Sequence, residues 1–403
     1  MLPMAVADAD IVVLAGARTP FGNFGGRLSG LSATDLGVFA AEAAIARSGV
    51  PKERLDEVVF GNVVQSSADA IYIARHIALR AGLPIETPAL AVNRLCGSGL
   101  QAVLSAAQSL ALGQARYALA GGTESMSQAP HVVRGARKGF AFGEDVRFED
   151  SLWEALTDSY NGMPMAITAE NLALRYDITR AQCDAFSLRS QQRATSAQSS
   201  EFFAEEIVAV NAPAPKGGEV TVDRDEGPRE GLTMERLAAL PPRFKAHGVV
   251  TAGNASGITD GAAALVLTTA ARARKDGLPW MGRLVAASVV GVDPDLMGLG
   301  PARAVPRALK QAGITMSDLA AIEINEAFAS QVLACVRELG CDGDSEHFNP
   351  HGGAIALGHP LGASGARLAL TVLHELRRRG GGYGIASACI GGGQGIAAVF
   401  AVE

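Results

Sequence analysis

The strongest constraint on this chain is that it repeats itself. A helix that ends at Ser48-Gly49-Val50 and leads to Leu55, Val58 and Phe60 returns as a helix ending at Ala312-Gly313-Ile314 that leads to Leu319, Ile322 and Ile324. Gly49 to Gly313 and Leu55 to Leu319 are both displaced by 264 positions. The same displacement carries Cys96 to position 360, beside His359. Each of these two residues precedes a Gly- and Ser-bearing elbow (Gly97-Ser98-Gly99 and Gly362-Ala363-Ser364-Gly365) that opens a helix. Each helix leads to a strand running into glycines, Tyr117–Glu124 in one case and Tyr383–Ala388 before Gly391-Gly392-Gly393 in the other. A fixed displacement over several elements implies two similar halves.

Within each half strands alternate with helices, which places the chain in the α/β class with helices packed on a sheet. The first half reads as a strand at Ile11–Leu14, a helix from Thr34 to Ala46, a strand from Leu55 to Asn62 and a helix from Asp69 to Ala81. A strand at Ala89–Val92 and the Cys96 helix follow. Residues 125–250 break this rhythm. They are richer in charge, Pro, Gln and Arg, carry an amphipathic helix around Arg180–Thr195, and read as an inserted loop domain. An apolar run at Ala262–Leu267 then completes the first half as a strand. The expected organisation is residues 1–124 with 251–275, the insert at 125–250, and a second half at 276–403.

With 403 residues, large cores are available to such domains. The net charge of −6 argues against nucleic acid as a partner, yet leaves room for a small anionic ligand at a local basic patch. Five scattered cysteines (Cys96, Cys183, Cys335, Cys341, Cys389) show no CxxC pair and no zinc spacing, as expected in a reducing compartment. Met1–Asp10 has two Asp and no Lys or Arg, unlike a leader, and the chain ends in no peroxisomal address. No apolar stretch is long enough to span a membrane. A cytoplasmic protein is expected.

Four blocks hold chemically capable side chains. Cys96 stands on a strand-to-helix elbow, where the positive helix end favours a thiolate; a small buried hydrophobe is the competing reading. Asn325-Glu326-Ala327-Phe328 follows a strand, where Asn325 would otherwise be a helix cap. His359 lies in a glycine-bounded bend, well situated for a general base. Cys389 precedes Gly391-Gly392-Gly393, whose bare backbone N–H groups suit an oxyanion.

Together, Asn93-Arg94-Leu95-Cys96-Gly97-Ser98-Gly99, Gly121-Gly122-Thr123-Glu124-Ser125-Met126-Ser127, Asn325-Glu326-Ala327-Phe328, Gly358-His359-Pro360 and Cys389-Ile390-Gly391-Gly392-Gly393 make the chain resemble the thiolases. Gln65–Tyr72, Glu149–Trp153 and Met163–Asn171 bring it nearest the mitochondrial-type 3-ketoacyl-CoA thiolases. The resemblance implies a layered αβαβα fold and the reversible CoA-dependent cleavage of 3-ketoacyl-CoA, as in fatty-acid β-oxidation. It implies Cys96 as nucleophile, His359 as its base and Cys389 as second acid/base. One oxyanion would be held by His359 with a water fixed by Asn325, the other by the N–H groups of Cys96 and Gly391. It points to Ser256 and Arg229 for CoA, and to Met165, Met297 and Phe328 for the pantetheine and acyl pocket, where core packing would serve equally. CoA is a substrate, no metal, flavin or nicotinamide is needed, and a homodimer or homotetramer is implied.

Arg134, Arg137, Lys138, Arg224, Arg243 and Lys245 add charge to the insert; a solvated surface is the simpler reading of each. Pro164-Met165-Ala166 stands where acetoacetyl-CoA-forming thiolases carry His-Met-Gly, which favours a degradative, broader-chain enzyme. An acetoacetyl-CoA-forming thiolase and a non-catalytic acyl-CoA or lipid carrier are the alternatives. His351 stands where relatives often carry Asn and has no assigned role.

Overall fold

The structure, a computed structural model, describes residues 5–214 and 217–403. The leader reading at Met1–Asp10 rests partly on Met1–Met4, which lie outside the described residues. The first half contributes β1 (Ile11–Arg18), α1 (Ala33–Ser48), β2 (Glu57–Gly61), α2 (Ile73–Arg80), β3 (Ala89–Val92), α3 (Ser98–Ala111) and β4 (Tyr117–Ser125). The chain then leaves the sheet for a segment that includes α4 (Met165–Arg175) and α5 (Arg180–Ser199), and returns in β5 (Thr259–Thr269). The second half adds β6 (Gly282–Gly291), α6 (Gly300–Ala312), β7 (Leu319–Ile324), α7 (Ala329–Leu339), α8 (Leu361–Arg378), β8 (Gly382–Ile390) and β9 (Gln394–Val402).

The strands form one sheet in the order β7-β8-β9-β6-β1-β5-β4-β2-β3, with the short strand Gly22–Asn23 paired to β5. The repeat is visible in this order. From the centre outward, β1-β5-β4-β2 on one side answers β6-β9-β8-β7 on the other. Within the sheet, the described residues join the two sides through β1 and β6, across Ile11–Leu284, Val12–Arg283 and Val13–Gly282. Both α3 and α8 pack on strands of the first half, and α8 also packs on β7, β8 and β9. The helices α1 and α2 cover the outer face of one side, α6 and α7 that of the other, giving five layers. Covering on both faces explains why β1 and β5 are almost wholly buried and apolar without alternation.

The central layer depends on glycine. A Cβ on Gly122 would lie 1.9 Å from the Gly362 carbonyl oxygen, and one on Gly365 would lie 2.4 Å from the Leu100 nitrogen. The N-terminal turns of α3 and α8 therefore meet backbone to backbone, and the matching elbows of the two halves become neighbours. The inserted segment is tied to the sheet by buried Arg18, which donates to Glu206 (2.7 Å) and to both oxygens of Asp225 (2.7 and 2.9 Å).

Two expectations need correction. The helix foreseen from Asp69 begins as a 3-10 turn at Ala70–Tyr72 and becomes α-helical at Ile73. The helix near Arg180 is present as α5, but its buried face is not a plain apolar stripe. Asp184, Ser187, Ser190 and Gln191 are buried there beside Cys183, Phe186, Ala194 and Ala197. These polar groups are held by hydrogen bonds instead: Asp184 accepts from Asn254 (3.0 Å) and Ser190 donates to Glu326 (2.6 Å).

Candidate active site

Cys96 sits in the turn that joins β3 to α3. Leu95 before it occupies the left-handed region at φ 44°, an uncommon conformation for a branched side chain. The turn is fixed locally. Asn93 accepts from the Leu95 N–H (2.9 Å), and the Ser98 hydroxyl accepts from the Arg94 N–H (2.8 Å) while donating to the Leu95 carbonyl (2.7 Å). The Cys96 side chain packs against the small cluster of Met126, Leu152 and Leu361. Leu361 is the first residue of α8, so this contact brings the two elbows together.

The backbone N–H groups of Cys96 and Gly391 act to lower the Cys96 thiol. Burial nonetheless pushes the thiol up to about 11; the two N–H groups pull the other way, and Glu124 adds to the rise. The helix-end expectation of a favoured thiolate is thus corrected: removal of the sulfur from water outweighs the positive helix end, and the resting group is a thiol.

His359 is 5 % exposed. Burial, with a smaller contribution from Arg367, lowers it to about 3, so the imidazole is neutral. Its Nδ1 lies 2.6 Å from the Ser364 hydroxyl oxygen, and Ser364 donates its own proton to the Pro360 carbonyl (3.0 Å). Nδ1–H therefore donates to Ser364, which makes Nε2 the acceptor nitrogen of the ring. Asn325 Nδ2 approaches Nε2 at 3.3 Å, while its buried Oδ1 has no partner among the described residues. Backbone bonds fix both residues, from Asn325 N–H to the Ser387 carbonyl (2.9 Å) and from His359 N–H to the Gly257 carbonyl (3.0 Å).

Cys389 is fully buried at the end of β8. Burial raises its thiol well above the ordinary range, and nearby Cys96 and Cys335 add to the rise. Met297 and Ala327 pack beside it, with Met165 and Phe328 on the same cluster. Gly391 follows in the turn to β9, and a Cβ there would meet Leu95 at 3.1 Å and the Met165 sulfur at 3.4 Å.

Ser256 lies in the loop before β5, its N–H bonded to the Ala327 carbonyl (2.9 Å), next to the Gly257 that holds His359. Arg229 stands elsewhere. Its N–H donates to Gln191 (2.8 Å), and it lines a surface cavity of about 380 Å³ along α5 with Gln192, Thr195 and Glu230. The structure thus gathers Cys96, Asn325, His359, Cys389, Gly391 and Ser256 with the three apolar candidates, and sets Arg229 apart. His351 acquires a role outside this group: it stacks on Phe202 (3.5 Å between centroids) and bonds Glu375 (2.8 Å). Among the described residues no cluster of His, Cys, Asp and Glu has the makings of a metal site.

Three supporting residues escaped the reading of the sequence. Buried Glu124 accepts from Asn62 (2.9 Å) and from the N–H groups of Val63 (3.1 Å), Val64 (3.0 Å) and Gly362 (2.8 Å), tying the Cys96 side to the start of α8. Glu326 accepts from Ser190, Asn349 (2.9 Å) and the Ile355 N–H (3.3 Å), fixing the loop that leads to His359. Asn349 also binds the Ile324 backbone through both ends of its amide (2.9 and 3.0 Å). Glu124 and Glu326 lay inside quoted motifs, and an acid in an otherwise small or apolar block was the available signal.

Comparison with known proteins identifies the family. The model of the thiolase N-terminal domain matches residues 11–271 and that of the C-terminal domain residues 278–402. The human mitochondrial 3-ketoacyl-CoA thiolase is 50% identical over 389 residues, 96% of this chain and 97% of that protein. An acetyl-CoA acetyltransferase of Pseudomonas aeruginosa is 46% identical over 396 residues, 97% and 99% of the two chains. The crystal structure of the human enzyme in complex with CoA superposes with a TM-score of 0.95 at 48% identity, over 100% of both chains. Fold and likeness define an acyltransferase. The chain belongs to the thiolase family.

Proposed function

We propose that this protein cleaves 3-ketoacyl-CoA with CoA, giving acetyl-CoA and an acyl-CoA shorter by two carbons, as a step of fatty-acid β-oxidation. The single observation that carries the mechanism is that the half-buried Cys96 thiol packs with Leu361, two residues past a neutral imidazole whose Nδ1 proton is committed to Ser364. His359 Nε2 takes the Cys96 proton, and the thiolate attacks the 3-keto carbon. The N–H groups of Cys96 and Gly391, both of which favour negative charge on the Cys96 sulfur, would serve one oxyanion. The unpartnered Oδ1 and the amide nitrogen of Asn325 suit a water that, with His359, serves the other. The bond between C2 and C3 breaks, Cys389 protonates the departing acetyl-CoA carbanion, and the acyl group stays on Cys96. The thiol of a second CoA then takes the acyl group and restores Cys96. CoA enters as substrate along Ser256 and the inserted segment, with Arg229 for its nucleotide end; Met165, Met297 and Phe328 flank the pantetheine. That a relative of nearly the same length was crystallised with CoA supports this reading.

Cys96→Ser is expected to retain CoA binding in calorimetry, while thiolysis of acetoacetyl-CoA and iodoacetamide labelling at position 96 both disappear. A variant that still cleaves the substrate refutes the assignment. The likeness to acetyl-CoA acetyltransferases favours an acetoacetyl-CoA-forming enzyme as the second reading; Pro164 in place of His stands against it. A homodimer or dimer of dimers in the cytoplasm completes the proposal. The sheet ends at β3, where Leu90 is 48% exposed on an unpaired edge that a second copy would cover.

A further inference from the structure

The imidazole of His359 is held at both nitrogens, at Nδ1 by Ser364 on α8 and at Nε2 by Asn325 at the end of β7. One turn past Ser364 on the same helix, Arg367 donates from Nη1 to Oε2 of Glu323 (2.9 Å). Glu323 lies on β7, two residues before Asn325. The pair thus joins the two elements that hold the ring, within one turn or two residues of the groups that do the holding. Both side chains are 1% exposed. Arg367 Nε and Glu323 Oε1 are nevertheless buried without a partner among the described residues. Arg18, also fully buried, instead meets Glu206 and both oxygens of Asp225. A buried ion pair is a weak source of stability, and apolar side chains of like volume often serve as well. The unpartnered atoms make this pair weaker still, so its place between the two holders of the imidazole asks for another reason. The charge of Arg367 also reaches the ring itself, where it opposes protonation.

We propose that Arg367, anchored by Glu323, is a positioning residue for His359: it fixes the turn of α8 at Ser364 against the end of β7 at Asn325, and so holds the ring in the orientation and tautomer that a base requires. This rests on the thiolase reading above and deepens it. Arg367 touches no reacting atom and acts through Ser364 and Asn325. Without the pair, α8 and β7 can shift against each other, and the hydrogen bond from Nδ1–H to Ser364 no longer fixes which nitrogen carries the proton. An imidazole with its proton on Nε2 cannot take one there.

The test uses the full-length Arg367→Met/Glu323→Gln enzyme, which removes both charges and leaves neither buried alone. Its kcat for acetoacetyl-CoA thiolysis should fall about 10–100-fold with KM held within about threefold. Nitrogen NMR of labelled histidine at pH 7, with the His359 signals assigned by their loss in His359→Gln, reads the tautomer directly. The unaltered enzyme should carry the proton on Nδ1, and the double variant should show a mixture of the two forms. Arg367→Lys, which keeps the cation, should keep the Nδ1 form and lose less than about tenfold in kcat. A lowered unfolding midpoint with kcat and tautomer unchanged would make the pair structural only and overturn the proposal. So would an Nε2–H tautomer in the unaltered enzyme, which can be read even if the double variant does not fold. If the unaltered enzyme cleaves no 3-ketoacyl-CoA, the thiolase reading fails, while the tautomer measurement still decides what Arg367 does.

Discussion

At the scale of single residues, the site is governed by desolvation. Burial keeps the Cys96 thiol and the His359 imidazole both uncharged at rest, so the pair becomes ionic only as the reaction proceeds. Because His359 drops from 6.5 unfolded to about 3 folded, the unfolded chain binds the extra proton between those values. Folding stability therefore falls as pH is lowered through that window and is unaffected by this group above it. Chemical denaturation from pH 7 to pH 4 should show His359→Gln losing stability less steeply than the unaltered protein, by up to about 1.4 kcal/mol per pH unit. Equal slopes would show that His359 is not held neutral. Ser364→Ala removes the acceptor of Nδ1–H and leaves that proton buried without a partner. The tautomer with the proton on Nε2 then competes, and kcat should drop roughly 10–100-fold with little change in KM, as a loss of about 1–3 kcal/mol implies. Steady-state thiolysis checks this.

At the scale of elements, α5, β7 and the loop before α8 are fastened by Ser190, Glu326 and Asn349, none of which bonds the sulfur or the imidazole. Ser190 is the joint: it donates to Glu326 and accepts from the Gly353 N–H (3.1 Å). Ser190→Ala should therefore loosen the loop that delivers His359, lowering the unfolding midpoint by a few degrees and kcat by roughly tenfold, an effect of about 1–2 kcal/mol. Thermal unfolding and kinetics on one preparation would show both. This is also where reading the chain in one dimension ran out. The helices after Cys96 and His359 were legible because each begins at a small-residue elbow, and the first also repeats apolar residues at helical spacing. The packing of α5 was not, because Ser190 and Asp184 find their partners at Glu326 and Asn254, far along the chain. His351 was opaque for the same reason: its meaning lies in Phe202 and Glu375. Desolvation of Cys96 was hidden too, since the residues that enclose it come from both halves.

At the scale of the whole molecule, two halves share one sheet and one candidate site, with Cys96 from the first and His359, Cys389 and Asn325 from the second. Neither half holds the full set of groups. Arg18 secures the inserted segment through Glu206 and Asp225, all fully or almost fully buried. Arg18→Met leaves two buried carboxylates without their cation and should destabilise the protein by about 3–5 kcal/mol, read as a fall in denaturant midpoint. The backbone contact between α3 and α8 has a different bearing, on motion. A joint made of side chains can slide by exchanging rotamers; one made of Gly122, Gly362 and Gly365 has no such freedom, and any shear drives peptide into peptide. The two halves are locked in register like the arms of a riveted frame. Any movement needed to admit a thioester as long as CoA then falls to the inserted segment, which lies outside that rivet.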